Sequence, residues 1–127
     1  MILIGGQALL RIGHDRYTED FDYLIFDKSN NKDFITSEEV DYLNAANNDF
    51  FYEIYKLEKG KKIASPQSLF DLKAYAFVQH CQNFNFKKAD ACEYDLKFLA
   101  REYKCEPKVV KKYISIGELM EINKIIK

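Results

Sequence analysis

The 127-residue sequence has few cysteines, and their pattern suits neither a disulfide framework nor a zinc site. Cys81, Cys92 and Cys105 are odd in number, and no two of them have the C-x-x-C spacing of metal and redox motifs. Reduced thiols of this kind are typical of cytosolic proteins, where disulfides are rare. We therefore expect a cytoplasmic protein with reduced cysteines.

Long hydrophobic runs are also missing. No segment approaches the roughly 20 apolar residues that a membrane-spanning helix requires. The apolar start, Ile2 to Ile4, is short and lacks the cationic leader of a signal peptide. No repeat or low-complexity linker interrupts the chain. With 47% hydrophobic and 15% aromatic residues, the composition predicts one compact domain with a core and no membrane partner.

The sequence also has no excess of positive charge. The 19 basic and 20 acidic residues give a formal net charge of −1. This balance argues against a general nucleic-acid or membrane-surface binder, because bulk attraction to phosphate requires net positive charge. Acids are concentrated before residue 54 and bases after it. Such an uneven distribution of charge along a chain is usually explained by solvated helix surfaces. The alternative is that an acidic, metal-binding end of the molecule faces a basic, phosphate-binding end.

Two aspartates near the start of the chain are the first pattern that indicates chemistry. Asp20 and Asp22 open a predicted strand that follows a short strand, a Gly5-Gly6 turn and a helix over Gln7–Ile12. Side chains at i and i+2 of a strand project to the same face, so the two carboxylates would lie side by side and repel each other. A hard cation such as Mg²⁺ relieves that repulsion, because it binds carboxylate oxygens together with substrate phosphates.

The residues around these acids predict a phosphate site. A glycine turn into a helix presents backbone N–H groups at the positive end of the helix dipole. Arg16 can donate to a phosphate or to an acidic partner, and the Thr18 hydroxyl can orient a carboxylate; a polar turn is the alternative for both. His14, between them and the helix, is expected to be an exposed loop residue, and donation to a phosphate is the alternative.

The combined pattern resembles a known family. Gly-Gly, a helix and then R-x-T-x-D-x-D, at Arg16, Thr18, Asp20 and Asp22, is similar to the nucleotidyltransferase superfamily, and especially to nucleotidyltransferase-like toxins of abortive-infection systems. The resemblance implies an α/β (α+β) fold with a mixed β-sheet, flanking helices and a C-terminal helical portion. The single domain would comprise a sheet-containing catalytic half, residues 1–64, and a helical half, residues 65–127.

The resemblance also implies an activity. A nucleoside monophosphate would be transferred from an NTP to an acceptor hydroxyl, with Mg²⁺ or Mn²⁺ as cofactor. The acceptor could be tRNA, a protein or a small molecule, and an antitoxin protein could be a partner. The alternative is a catalytically inactive relative that binds a partner or senses nucleotide. Gln7 stands where the family commonly has serine, a departure that bears on nucleotide choice and activity.

The resemblance assigns roles residue by residue. Asp20 and Asp22 would be catalytic metal ligands, and Gly5, Gly6, Arg16 and Thr18 would bind phosphate. Lys73, in the family-like stretch SPQSLFDLKAYA, would neutralise triphosphate charge. The alternative for this lysine is a snorkelling side chain on a half-exposed helix.

Glu53 is the predicted third metal and catalytic carboxylate. The aromatic and β-branched residues of Phe50–Glu58 predict a third strand, and a charge in the middle of such a strand is unusual. Two divalent ions need more than two acidic ligands, which favours a role for Glu53 at the metal. Glu58 is the weaker substitute.

Cap and turn residues predict the remaining elements. They indicate a polar loop, five further helices, and a short strand at Lys62–Ala64. The predicted helices run from Thr36 or Ser37 to Asn47, from Pro66 to Cys81 after an N-cap at Ser65, from Phe86 to Tyr103, from Pro107 to Tyr113, and from the Ser115–Glu118 capping box to Ile126, with the loop at Asp27–Asp33.

Overall fold

The computed structural model describes residues 1–127 and has the mixed α and β class that the sequence predicts. The chain divides into two compact units, Met1–Ser65 and Pro66–Lys127. The first unit contains all the strands, and the second is helical. No helix in either unit combines the length and the apolar character needed to cross a bilayer.

The first unit is built on a mixed four-stranded sheet. Its strands lie in the order β1-β2-β4-β3, with β2 and β4 parallel and the two outer pairs antiparallel. β2 is therefore a central strand, with β1 on one side and β4 on the other. The elements of this unit are β1 (Ile2–Ile4), α1 (Gly5–Arg11), β2 (Phe21–Ile25), β3 (Phe34–Thr36), β4 (Val40–Asn44), a 3-10 turn (Ala45–Asn47) and α2 (Asp49–Glu58).

The prediction of a third strand at Phe50–Glu58 is wrong, because this segment forms α2. The Asn48 side chain caps the helix by accepting from the Phe51 N–H at 3.0 Å, and Asp49 places an acid in the first turn. Phe50 and Ile54, four residues apart, are buried on one face. Capping and helical spacing outweigh the β propensity of the aromatic residues.

The predicted helix up to Asn47 is also wrong, because the segment instead forms a β-hairpin. Both the N–H and the hydroxyl of Ser37 donate to the Val40 carbonyl at 2.9 Å, which closes the turn between β3 and β4. Ser37 is thus a turn residue and not a helix cap. After the turn, β4 pairs with both β2 and β3, and these pairings supply the backbone hydrogen bonds that a helix would have made internally.

The second unit consists of α3 (Pro66–Gln82), α4 (Phe86–Tyr103) and α5 (Ile116–Ile125). The helices predicted from Pro66 and Phe86 are confirmed, and so is the capping box formed by Ser115 and Glu118. The helix predicted between Pro107 and Tyr113 is reduced to a 3-10 turn at Val110–Lys112. Buried Asp71 accepts from the Lys108 and Val110 N–H groups, which holds this segment in an irregular form.

At the end of the first unit, Ile63 forms a single parallel bridge with Leu3 in place of the predicted short strand.

Candidate functional site

The segment between α1 and β2 alternates between the interior and solvent. His14 is only 6% exposed, so the prediction of an exposed loop histidine is wrong. The alternation directs Arg16 and Thr18 of the R-x-T-x-D-x-D pattern back toward α1, and it ends before Asp20, which is exposed. The more buried side chains are those of His14, Arg16 and Thr18, and the exposed ones are those of Asp15, Tyr17 and Glu19.

Gly5 brings the start of α1 against Asp22. Its φ of +68° lies in the left-handed region, which strongly favours glycine. A Cβ at this position would lie 2.2 Å from Asp22 Oδ2. The Asp22 carboxylate therefore occupies the space beside the Gly5 Cα, and any larger residue would displace it.

Gly6 receives the residues that precede the acids. A Cβ on Gly6 would lie 2.5 Å from the Thr18 methyl carbon and 3.3 Å from Arg16 Nη2. The structure thus brings together five of the eight residues that the sequence predicts for the site, namely Gly5, Gly6, Arg16, Thr18 and Asp22. Both glycines are required first for the packing of the chain against itself.

Gln7, at the position where the resembling family commonly has serine, links α1 to the segment that precedes β2. Its side-chain N–H donates to the Thr18 carbonyl at 3.0 Å. The Gln7 side-chain oxygen accepts from Arg11 Nη1 at 3.1 Å. In this geometry the amide is directed at the chain itself, toward the segment that carries Arg16, Thr18 and Asp20.

An acid that the sequence analysis missed lies beside Asp22. Asp41 on β4 is the register partner of Asp22 on the parallel strand β2. Adjacent strands are roughly 4.8 Å apart, and register partners project to the same face. Two carboxylates are therefore held side by side at the centre of a sheet, an arrangement that like-charge repulsion disfavours.

A second pair of acids extends this row. Asp20 is exposed and lies one residue before β2. The Phe21 N–H donates to the Glu39 carbonyl at 3.0 Å, so continuing the parallel register by one residue sets Asp20 beside Glu39. β2 and β4 are thus each preceded by one acid and carry another at their second residue, at the same end of the sheet.

A sequence signal for Asp41 exists. The stretch EDFDYL at 19–24 is echoed by EEVDYL at 38–43, and the register pairs these stretches residue by residue from Phe21 with Val40 onward. The aromatic rings of Tyr23 and Tyr42, which follow the two aspartates, stack with centroids 6.2 Å apart. Recognition of the echo would have predicted a second strand with an equivalent acid.

The premise on which Glu53 was assigned to the metal is not met. Glu53 lies on α2, a helix, and not in the middle of a strand next to β2. Glu58 is 1% exposed and serves the fold: Lys61 Nζ lies 2.9 Å from its carboxylate, and both the N–H and the hydroxyl of Ser65 donate to it. These bonds connect the end of α2 to the residue that precedes α3.

Lys73 lies in the second unit and is paired there. Its ammonium is 3.2 Å from Asp95, whose side chain is fully buried, while Lys73 itself is 18% exposed. The pair joins α3 to α4. Lys73 is therefore part of an ion pair within the helical unit, and its predicted role with triphosphate stays a prediction.

The side chains at the start of β2 and β4 are of the chemical type that binds a hard divalent cation. Carboxylate oxygens of Asp20, Asp22 and Asp41 are the ligand type that Mg²⁺ and Mn²⁺ prefer. No group of three or more His, Cys, Asp and Glu side chains is gathered closely enough to hold an ion by itself. Mg²⁺ that is bound with a nucleotide needs only one or two carboxylates, because phosphate oxygens and waters complete its shell.

Known proteins offer no direct guide to this site. Comparison with protein-family models, with curated proteins and with solved structures found no significant match. The geometry at the β2 end and the resemblance in sequence pattern are therefore the grounds on which a function is assigned.

Proposed function

We propose that this protein is a metal-dependent nucleotidyltransferase, which transfers a nucleoside monophosphate from an NTP to an acceptor hydroxyl and releases pyrophosphate. The observation that carries the proposal is the register of Asp22 with Asp41, beside the Gly5–Gly6 turn. Two carboxylates in register on neighbouring strands are the oxygen ligands that a hard divalent cation binds together with substrate phosphates. A nucleotide bound with Mg²⁺ supplies that cation.

Asp22 and Asp41 would hold the metal together with phosphate oxygens and waters, and Asp20 would join them as a ligand that is ordered when the metal binds. Asp41 replaces Glu53 as the third carboxylate. When bound, the divalent ion offsets phosphate charge and lowers the pKa of an acceptor hydroxyl. Asp22 is positioned by contact with Gly5, which fixes one ligand before nucleotide arrives. This preorganisation reduces the rearrangement that binding would require.

Arg16 and Thr18 would act at the phosphate side of the site. Arg16 Nη2 lies 3.3 Å from the position that a Cβ on Gly6 would take, so a phosphate bound beside the start of α1 would lie close to the guanidinium. Because α1 has only seven residues, we assign the phosphate contact mainly to Arg16 and not to a helix dipole. The acceptor molecule and the role in a toxin–antitoxin pair are carried over from the resemblance alone.

The test is transfer of label from each of the four NTPs to components of a cell extract in the presence of Mg²⁺ or Mn²⁺. We expect one class of molecule to become labelled, and we expect Asp20→Ala with Asp22→Ala to abolish the labelling. Asp41→Asn should reduce it severely, while Glu53→Gln should leave it largely intact. Glu38→Gln removes the same charge from an exposed position close to Asp41 and serves as the control.

Two other outcomes would contradict transferase activity and favour a different function. NTP binding without any labelled product would favour a nucleotide sensor. Binding of neither metal nor NTP would favour a partner-binding module that keeps the arrangement of the site without its chemistry.

A further inference from the structure

The Gln7 side chain connects α1 to the segment that carries the acids. Its Nε2 donates to the Thr18 carbonyl, 11 residues along the chain, at 3.0 Å. Arg11 Nη1 in turn donates to the Gln7 backbone carbonyl at 2.8 Å and to its side-chain oxygen at 3.1 Å. Arg11 thereby orients the amide so that its N–H groups, and not its oxygen, face Thr18.

We infer that Gln7 is a positioning residue for the carboxylates of the proposed site, an inference that rests on the proposed function. The irregular segment after α1 is anchored near its start by the His14 N–H, which donates to the Leu9 carbonyl at 3.1 Å. The Gln7 bond anchors its other end, at Thr18. Only Glu19 and Asp20 then separate this anchor from the first residue of β2.

Loss of the second anchor would act on Asp20 first. Asp20 is exposed and lies outside the strand, so the sheet does not fix it as it fixes Asp22. A ligand that is not preorganised must be ordered when the metal binds, and this ordering lowers the affinity. Outer-sphere groups of this kind are known to tune metal affinity without touching the ion.

Three variants distinguish the contact between Gln7 and Thr18 from the contact between Arg11 and Gln7. Gln7→Glu keeps an acceptor for Arg11 but has no N–H for Thr18. Gln7→Met keeps the length of the side chain and loses both polar contacts. Arg11→Met removes the orienting guanidinium and leaves the Gln7 donor in place. The added negative charge of Gln7→Glu would by itself strengthen cation binding, so weaker binding by this variant cannot be a simple charge effect.

The probe is Mn²⁺ alone, titrated into each full-length variant at a temperature where circular dichroism shows all of them folded. We expect Gln7→Glu and Gln7→Met to bind Mn²⁺ about five- to tenfold more weakly than the wild type, the effect of losing about one hydrogen bond. Arg11→Met should stay within about twofold, because its contacts are exposed. Hydrogen exchange of the Phe21 amide, which donates to the Glu39 carbonyl directly after Asp20, should be faster in Gln7→Met.

The outcomes distinguish the two proposals. Wild-type affinity in both Gln7 variants would overturn the positioning role while the proposed function stood. A wild-type protein that binds no Mn²⁺ would overturn both. In that case, faster exchange in Gln7→Met would show that the connection to Thr18 is real but serves only the fold.

Discussion

At the scale of single residues, Gly5 must be glycine for two reasons: its backbone is left-handed, and its Cα lies against the Asp22 carboxylate. Gly5→Ala puts a side chain at a φ of +68° and within 2.2 Å of Asp22 Oδ2. We expect a loss of unfolding free energy of about 2–4 kcal/mol, from left-handed strain plus the displaced carboxylate, measured by urea unfolding. The affinity for Mn²⁺ should also fall, because the substitution displaces the Asp22 carboxylate.

Gly60 provides the matched control for this prediction. Its φ is +89°, and a Cβ there would meet nothing within 4 Å. Gly60→Ala should therefore show the backbone cost alone, about 1–2 kcal/mol, with unchanged metal binding. Equal effects of the two substitutions on both measurements would mean that the Asp22 contact contributes nothing.

Gly6 differs from Gly5 because its conformation is ordinary and only its contacts are tight. Alanine there gains about 1 kcal/mol in helix propensity but collides with the Thr18 methyl carbon at 2.5 Å. We expect Gly6→Ala to lose about 1–3 kcal/mol net, as overpacking does. Adding Thr18→Ser removes that methyl group and should restore at least half of the loss; a strictly additive double mutant in urea unfolding would contradict the contact.

At the scale of secondary-structure elements, the pairing of α3 with α4 depends on a buried ion pair. Lys73→Met removes the ammonium from beside Asp95, whose side chain is fully buried. Breaking such a pair from one side costs about 3–5 kcal/mol, and we expect a loss in this range by urea unfolding. Lys97→Met, which breaks the exposed pair with Glu93, is the control and should cost less than about 0.5 kcal/mol.

The capping box of α5 predicts a pH dependence. The Ser115 N–H donates to Glu118 at 2.7 Å, and this bond, with help from the Gln82 amide, holds the pKa of Glu118 below its ordinary value of 4.5 although partial burial opposes the shift. A lowered pKa in the folded state stabilises the protein above the ordinary value, and the contribution is lost as the pH falls through the folded-state pKa.

Glu118→Gln should therefore be less stable than the wild type at pH 7, by about 0.5–1 kcal/mol, and the difference should shrink below pH 4.5. Urea unfolding at pH 7, 5, 4 and 3 measures it. Glu121→Gln, at an exposed position on the same helix, should show no such trend. A stability difference for Glu118→Gln that grows on acidification would contradict the assigned bond.

At the scale of the whole molecule, the sequence predicted those parts of the fold that local signals determine. The Ser65-Pro66 start of α3 and the Ser115–Glu118 box of α5 each depend on a few adjacent residues. At the glycines after β1 the prediction was only approximate, because α1 begins at Gly5 and not at Gln7 and ends at Arg11. The strand prediction for Phe50–Glu58 is wrong because the Asn48 cap and the helical spacing of Phe50 with Ile54 outweigh the β propensity of the aromatic residues.

The candidate site was predicted in part for the same reason. Asp20 and Asp22 are recognisable because they are two apart in one strand. Asp41 acquires its place only through the parallel pairing of β4 with β2, a contact between distant parts of the chain. Gln7 was noted as a departure from a pattern, but its bond to the Thr18 carbonyl follows from how the segment folds back over α1.

The most direct measurement is the Mn²⁺ affinity of the wild type, Asp22→Asn, Asp41→Asn and Glu38→Gln, each with and without a non-hydrolysable NTP analogue. We expect the wild type and Glu38→Gln to bind Mn²⁺ with equal affinity, and both to bind it more tightly when the analogue is present. Asp22→Asn and Asp41→Asn should each be weaker by at least about tenfold. Four equal affinities, or no binding by the wild type, would contradict the claim that β2 and β4 present a shared carboxylate site for a metal–nucleotide complex.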